Sequence, residues 1–261
     1  MSACLAIAFN SFEPVFDFDY SKMSGTLKLK EVTRLKNSSG TSEKALNVFL
    51  WFIVLSMLIS LVLTTKTALT AASSKAAGAA WFLDLEIVAG LLIVMLPKFL
   101  AVKLKVYLPP LLYGLFLMFI YGSVYLGTIY HFYSIPYWDK GLHLISGALL
   151  AGFALSAFGG LIPDESIKHI PPLFISMYAT AFAVFCGVLW EFYEFTCDSF
   201  GMNLQRYMKN GHLLMGRAAL MDTMGDLFAD FFGALIFAVI AYFKLRKDSR
   251  WIERFFFHRD L

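Results

Sequence analysis

The sequence predicts an all-α polytopic membrane protein, with about six transmembrane helices in one bundle. Of its 261 residues, 59% are hydrophobic and only 16% are charged, whereas water-soluble domains are about half apolar and a quarter charged. The mean hydropathy is +0.66, and the apolar residues form blocks of about 20, the length that crosses a hydrocarbon core. The alternating pattern of a β-barrel is absent, so helices must satisfy the backbone within the lipid bilayer.

Six apolar segments are long enough to cross the membrane. In chain order they cover roughly residues 45–64, 79–100, 106–127, 139–158, 171–198 and 221–245. Gly, Pro and polar residues interrupt the chain between them, which predicts one compact transmembrane domain over residues 45–247. Residues 1–44 are polar with mixed charge and predict a flexible N-terminal tail, while residues 248–261 predict a short C-terminal tail.

The distribution of Lys and Arg predicts that both tails are cytoplasmic. With an inside N-terminus and six spans, 16 of the 22 basic residues fall in inner segments and six in outer ones. The positive-inside rule favours this orientation, and a multi-pass protein of a bacterial inner or plasma membrane is the expected location. The net charge of +3 reflects these flanks, so no nucleic-acid partner is expected. The oligomeric state is left open.

Acidic residues are concentrated where the predicted helices meet the outer face. Nine of the 19 acidic residues lie at the outer ends of four spans. These nine are Asp84, Glu86, Asp139, Glu191, Glu194, Asp198, Asp222, Asp226 and Asp230. The residues in span five follow i, i+3, i+7 spacing and those in span six repeat every four residues, so each set forms a stripe on one helix face. A charge facing lipid costs several kcal/mol, so both stripes should face each other, bases or water.

Three arrangements can stabilise such carboxylates, and the sequence leaves all three open. They can bind protons because burial and mutual repulsion raise their pKa values. They can form ion pairs with nearby bases, or they can hold a divalent cation. His143, at i+4 from Asp139, adds a ligand that suits zinc or manganese. The bases available for pairing are Lys140, Arg206, Lys209 and Arg217.

Several of these residues also have simpler interpretations. Asp84 and Glu86 are two residues apart and do not share a helix face, so both are expected to face interfacial water. Asp139 can serve as the N-cap of span four, and Asp198 can be a hydrated helix end. His143, taken alone, can be a structural histidine.

Three blocks of sequence resemble the uncharacterised YjdF-like inner-membrane family, which is similar in turn to the VanZ-like group. They are WDKGLHLISG (138–147), WEFYEF (190–195) and MDTMGDLFADFFGA (221–234), within residues 138–241. VanZ-like proteins show DKxxH, then ExxQ, then an Arg before DxxxNxxG. The matching residues here are Asp139, Lys140 and His143; Glu191 and Glu194; and Arg217, Asp226, Asp230 and Gly233. Glu194 and Asp230 replace Gln and Asn, so each departure adds a carboxylate, which favours a cation.

The resemblance implies a topology and a site, and it leaves three functions open. The first is a non-catalytic protein whose polar cluster orders the helices and binds a component of the cell envelope. The second is a metal-dependent enzyme acting on a lipid-linked envelope substrate. The third is a proton or cation transporter, which the depth of Asp230 favours and the apolar inner halves of the last three spans oppose.

The enzyme hypothesis assigns a role to each residue. Asp139 or Asp230 would be the catalytic base, and Lys140 and Arg217 would bind a substrate phosphate. The metal ligands would be His143, Glu191, Glu194, Asp222 and Asp226. The cofactor expected under this hypothesis is a divalent cation.

Overall fold

A computed structural model describes residues 25–104, 108–162, 164–167, 169–206, 208–209 and 211–256. Six of its helices are long and apolar enough to cross a membrane, which confirms the predicted all-α fold. Large apolar side chains on their outer faces are exposed, among them Val62 at 70% and Leu92 at 69%. Such surfaces are stable only against lipid, so the bilayer is a partner of this protein.

The membrane-spanning helices are α1 (Gly25–Thr70), α2 (Ser74–Leu104), α3 (Pro110–Ile120), α4 (Trp138–Leu161), α6 (Pro172–Asp198) and α7 (Arg217–Lys247). Four of these six helices, α1, α2, α4 and α7, extend beyond the predicted spans at both ends, whereas α3 and α6 lie within theirs. The shorter elements are a π-helix (Tyr121–Ile129) that continues α3, 3₁₀ helices (Phe132–Ser134 and Ser249–Phe255), α5 (Asp164–Ile167) and strands β1 (Met208–Lys209) and β2 (His212–Leu213). The strands pair antiparallel.

The two predicted tails fall partly within the described residues. The chain divides into two units, residues 1–44 and 45–261. In the first unit the backbone is helical from Gly25, and residues 1–24 lie outside the described residues. The flexibility expected of this tail therefore stays a prediction. At the other end, Ile252 and Phe255 of the last 3₁₀ helix are buried in the core, so this part of the predicted C-terminal tail packs against the bundle.

Helices α4 and α7 are in backbone contact at two glycines. A Cβ atom on Gly147 would lie 2.2 Å from the Asp230 carbonyl oxygen, and one on Gly233 would lie 2.0 Å from the Leu144 carbonyl oxygen. Only glycine permits this approach, as in other tightly packed membrane helices. The predicted role of these two glycines in close packing therefore agrees with the structure, and it places the Asp230 side chain beside α4.

The described residues form a core of two apolar clusters. One joins α4, α6 and α7 with the last 3₁₀ helix, and small residues such as Ala151, Ala183 and Ala234 are fully buried in it. The other joins α1, α2 and α3 around Met57 and Leu117. The first cluster fills the part of the bundle next to the polar ends of α4, α6 and α7, and it fixes the relative positions of those ends.

The π-helix after α3 helps to position the start of α4. Its wide turns use i+5 hydrogen bonds, as from the Tyr130 amide to the Tyr125 carbonyl at 3.2 Å. The Trp138 indole N–H donates to the Gly122 carbonyl at 3.1 Å. Tyr137, just before α4, adopts a positive φ of 64°. These contacts fix the first turn of α4, where the DKxxH residues lie.

Candidate metal centre

A polar cluster lies where the N-terminal halves of α4 and α7 meet the loop that follows α6. We define the polar cluster by the residues that its ion pairs connect. They are Asp139, Lys140, His143, Arg206, Asp222, Asp226 and Asp230. Asp226 and Asp230 are 1% and 2% exposed, so their charges are stabilised by these contacts and hardly at all by water.

Lys140 reaches from α4 to two aspartates of α7. Its ammonium nitrogen lies 2.7 Å from the Asp222 carboxylate and 2.8 Å from that of Asp226. It also lies 3.1 Å from the Asp222 carbonyl oxygen and 3.6 Å from the Asp139 carboxylate. The i, i+4 spacing of Asp222 and Asp226 places both on the face that Lys140 meets. Gly225 leaves room for the lysine stem, because a Cβ there would lie 2.8 Å from Lys140 Cε.

His143, one turn further along α4, is held by Asp230. Nδ1 of the imidazole lies 3.1 Å from Asp230 Oδ2, and the other Asp230 oxygen accepts a hydrogen bond from Ser146 Oγ at 2.7 Å. Nε2 of the same ring lies 3.5 Å from Asp226 Oδ1. When Nδ1 donates to Asp230, the lone pair on Nε2 is free to face Asp226. Asp230 thus orients the imidazole.

Asp139 lies on the more open side of the polar cluster. Its side chain is 17% exposed and its carboxylate lies 3.5 Å from Arg206 Nη2. The Arg206 guanidinium also sits over the ring of Tyr133, 5.8 Å from the ring centre. Burial, together with the Asp139 charge, raises the pKa of Tyr133 well above its usual value. The expected N-cap role of Asp139 is not observed, because α4 begins at Trp138 and its N-cap residue is Tyr137.

Three side chains of the polar cluster converge closely enough to share one metal ion. One ligand atom each from Asp139, His143 and Asp226 lie within 4.8 Å of one another. Carboxylate oxygen and imidazole nitrogen are ligands of zinc and manganese. Asp226 and His143 are buried, while Asp139 is partly accessible. A metal held by these three side chains would therefore lie near the more accessible side of the polar cluster, where Asp139 is.

The other predicted metal ligands lie around these three residues. Asp222 faces Lys140, as described above. Glu191 is 4% exposed and accepts a hydrogen bond from Gln205 Nε2 at 3.3 Å, and its second oxygen accepts none from the described residues. Glu194 accepts a hydrogen bond from the Trp190 indole at 2.9 Å.

Side-chain contacts tie the loop after α6 to the end of α6 and to α7. Asp198 is 8% exposed, and its carboxylate accepts hydrogen bonds from the backbone amides of Leu204 at 2.5 Å and Gln205 at 3.1 Å. Gln205 Nε2 also donates to Thr223 Oγ1 at 2.9 Å. Asp198 is therefore a loop anchor, and the interpretation as a hydrated helix end is wrong.

The structure brings Arg206, and not Arg217, to the polar cluster. Arg217 is exposed at the start of α7, and within the described part of the chain no acidic side chain is at ion-pair distance from it. Sequence reasoning did not single out Ser146, although His143 and Ser146 share a helix face at i, i+3. Gln205 and Arg206 lie in a loop, and no periodic pattern points to them.

Asp84 departs from its expected position. The sequence suggested that it faces interfacial water, but it is 7% exposed. Its two carboxylate oxygens contact the hydroxyls of Thr64 and Thr65, the latter at 2.7 Å. Glu86 is half-buried. An i, i+2 pair does not share a face, so packing α2 against α1 buries Asp84 without doing the same to Glu86.

Comparison with known proteins identifies the family. The model of a family described as "Predicted membrane protein (DUF2238)" matches residues 45–247. The chain belongs to this family. No curated protein and no solved structure matched. The match covers all six membrane-spanning helices of this DUF2238 member and is consistent with the YjdF-like resemblance. The further relation to the VanZ-like group stays a prediction.

Proposed function

We propose that this DUF2238 protein binds a divalent metal ion within the membrane, with Asp139, His143 and Asp226 as ligands. The observation that carries the proposal is the orientation of His143. A metal-bound histidine usually donates its other ring N–H to a carboxylate. Asp230 is placed to accept that hydrogen at 3.1 Å, and Nε2 then faces Asp226.

Charge balance supports the same proposal. The polar cluster holds four aspartates, whereas its fixed cations are Lys140 and Arg206. With a neutral imidazole, two negative charges remain in a region of low dielectric. Uncompensated charge there is costly, and one divalent cation would balance the two remaining negative charges.

The ligand set favours zinc or manganese over calcium or magnesium. Calcium and magnesium prefer sites made entirely of oxygen ligands, while imidazole suits zinc and other transition metals. Of the five residues predicted as ligands, His143 and Asp226 are retained and Asp139 joins them. Asp222, Glu191 and Glu194 then form a surrounding acidic layer that raises the local concentration of cations.

The metal would give this face of the bundle a means of binding an oxygen-bearing group. Arg206 is 38% exposed beside Asp139, so a phosphate or carboxylate of an envelope component can approach there. Arg206 is better placed than Arg217 to pair with it. The resulting role is envelope-related binding, in keeping with the proposed VanZ-like relation. Activation of a lipid-linked substrate by the same metal is the enzymatic form of this proposal. With Asp139 as a ligand, Asp230 is the remaining one of the two bases predicted from the sequence.

Packing beyond the polar cluster gives no support to transport. Next to His143 and Asp230, α4 and α7 touch backbone to backbone at Gly147 and Gly233. Small and apolar side chains then fill the interface among α4, α6 and α7. Within the residues that the structure describes, we find no continuous polar path along this interface.

Metal analysis of the purified protein tests the proposal. The full chain, purified in detergent without a polyhistidine tag, is equilibrated with zinc or manganese, desalted and assayed for metal. We expect about one bound ion per chain, lost in Asp226→Asn and His143→Gln. Asp248→Asn removes an exposed carboxylate and should keep the ion. A metal-free wild type, or full occupancy in Asp226→Asn, would reject the site.

A second candidate function, a purely structural role, is favoured by one contact. Lys140 already supplies an internal cation to Asp222 and Asp226, and the resulting ion pairs tie α4 to α7. If wild type binds no metal while Asp226→Asn lowers thermal stability, the structural role replaces the metal proposal.

A further inference from the structure

We propose that Asp84, Thr64 and Thr65 form a second cation site, and that it binds sodium. This site, the Asp84 site, lies between α1 and α2 and uses none of the residues of the polar cluster. Asp84 is the eleventh residue of α2 (Ser74–Leu104), which places it about 15 Å along the helix axis from the start. Asp84 falls within the predicted second span (residues 79–100), and the residue is 7% exposed.

Within the part of the chain that the structure describes, the hydrogen-bond partners of the buried Asp84 carboxylate are two hydroxyl groups. Thr64 contacts one carboxylate oxygen, and Thr65 Oγ1 lies 2.7 Å from the other. Among the described side chains, no lysine, arginine or histidine is at ion-pair distance from Asp84. Lys66, the closest base along α1, is exposed. Hydroxyl groups supply dipoles but no net charge, so an ionised carboxylate at this position has no opposite charge beside it among the described side chains.

The chemistry of the Asp84 site selects the class of cation. All available donors are oxygen atoms, and no imidazole or thiolate is present to favour a transition metal. One carboxylate balances one positive charge, so a monovalent ion leaves the site neutral whereas a divalent ion leaves an excess charge. The ligand set is small, with one carboxylate and two hydroxyls, and sodium takes fewer oxygen ligands than the larger potassium ion.

The threonines can change from donors to ligands without breaking the helix. Thr64 Oγ1 lies 3.0 Å from the Ser60 carbonyl and 3.1 Å from the Leu61 carbonyl. Its hydroxyl hydrogen can therefore turn to the backbone of α1 while its lone pairs face the ion. The buried Ser60 hydroxyl has no hydrogen bond of good geometry with the described residues, and it lies one turn before Thr64.

Thermal unfolding in matched salts tests the Asp84 site. The full chain in detergent, with a chelator present to remove divalent ions, is heated in sodium, potassium or choline chloride at one ionic strength. A ligand present at 100 times its dissociation constant stabilises the native state. For a chain of this length, we expect the unfolding midpoint in sodium chloride to be about 5 °C higher than in choline chloride. No difference between sodium and choline would overturn the proposal.

Variants assign any sodium effect to this site. Asp84→Asn should abolish the stabilisation by sodium. Thr65→Val should lower the apparent sodium affinity at least about tenfold, the factor that corresponds to the loss of one ligand worth about 1.4 kcal/mol. Glu86→Gln removes a neighbouring carboxylate and should leave it unchanged. Asp226→Asn should also keep the sodium response, so this proposal and the metal centre fail independently. An equal response in Asp84→Asn would reject the assignment.

A direct measurement covers the case in which Asp84→Asn does not fold. Equilibrium binding of radioactive sodium to wild type and Thr65→Val requires only those two proteins. We expect about one saturable ion per wild-type chain, competed more weakly by potassium than by unlabelled sodium. Absence of saturable binding to folded wild type would overturn the proposal.

Discussion

Replacing Lys140 by methionine should destabilise the bundle more than any exposed charge would. Methionine keeps most of the stem and removes the ammonium group, which leaves Asp226, 1% exposed, without its contact at 2.8 Å. Breaking a buried ion pair costs about 3–5 kcal/mol. Because the Lys140 side chain is 22% exposed, we expect the lower end, about 3 kcal/mol.

Thermal unfolding followed by tryptophan fluorescence measures this cost. For a chain of this size, about 3 kcal/mol corresponds to a fall of roughly 6–12 °C in the midpoint. Lys209→Met is the matched control, because Lys209 is exposed and surface substitutions stay within about 0.5 kcal/mol. The double variant Lys140→Met/Asp226→Asn should recover at least half of the loss, since it removes the stranded carboxylate. Equal midpoints for Lys140→Met and Lys209→Met would refute the reasoning.

The same variant also probes the metal centre. The Lys140 ammonium repels a divalent ion held by Asp139 and Asp226, so its removal should strengthen metal binding while it weakens the apo protein. Zinc or manganese should therefore raise the unfolding midpoint of Lys140→Met by more degrees than it raises that of wild type. A smaller metal-induced rise in the variant would contradict the charge balance that we infer.

Three further predictions follow from single contacts. Asp230→Asn should lower metal affinity by about 10- to 100-fold in a metal titration, because Asp230 orients the histidine ligand. Unchanged affinity would count against that role. Gly147→Ala should lower the free energy of unfolding by about 1–3 kcal/mol through overpacking, as measured by thermal unfolding. Gly141→Ala is the matched control, because nothing lies within 4 Å of a Cβ atom there, and it should not destabilise the protein. Trp138→Phe removes the hydrogen bond to Gly122 and should lower the free energy of unfolding by about 1 kcal/mol. An unchanged unfolding midpoint would argue against a stabilising role of this hydrogen bond.

The fold was predictable because lipid imposes a simple rule on the sequence. Blocks of about 20 apolar residues indicate helices, and the six predicted spans correspond to the six long helices. The ends were harder to predict, because a helix continues into the polar interface where hydropathy gives no boundary. Helix α7 begins at Arg217, four residues before the predicted start, and the π-helix after α3 follows from no pattern in its apolar sequence.

The candidate site was predictable where helix periodicity applies. The spacing of Asp222, Asp226 and Asp230 predicted one stripe, and all three meet residues from the start of α4. Arg206 was predicted only as one of four bases available for ion pairing, and its pairing with Asp139 and Asp222 agrees with that expectation. Its place in a loop gave no periodic pattern to select it over Arg217. The predicted exposure of Asp84 was wrong for another reason. The sequence shows that Asp84 and Glu86 do not share a helix face, but the packing of α1 against α2 decides which of the two is buried.

X-ray absorption spectroscopy at the edge of the bound metal tests the central claim most directly. Protein loaded with one equivalent of zinc or manganese should show a first shell of nitrogen and oxygen, with the outer-shell scattering of a single imidazole, and His143→Gln should lose that imidazole contribution. A first shell without imidazole in wild type, or a spectrum unchanged by His143→Gln, would contradict a metal held by Asp139, His143 and Asp226.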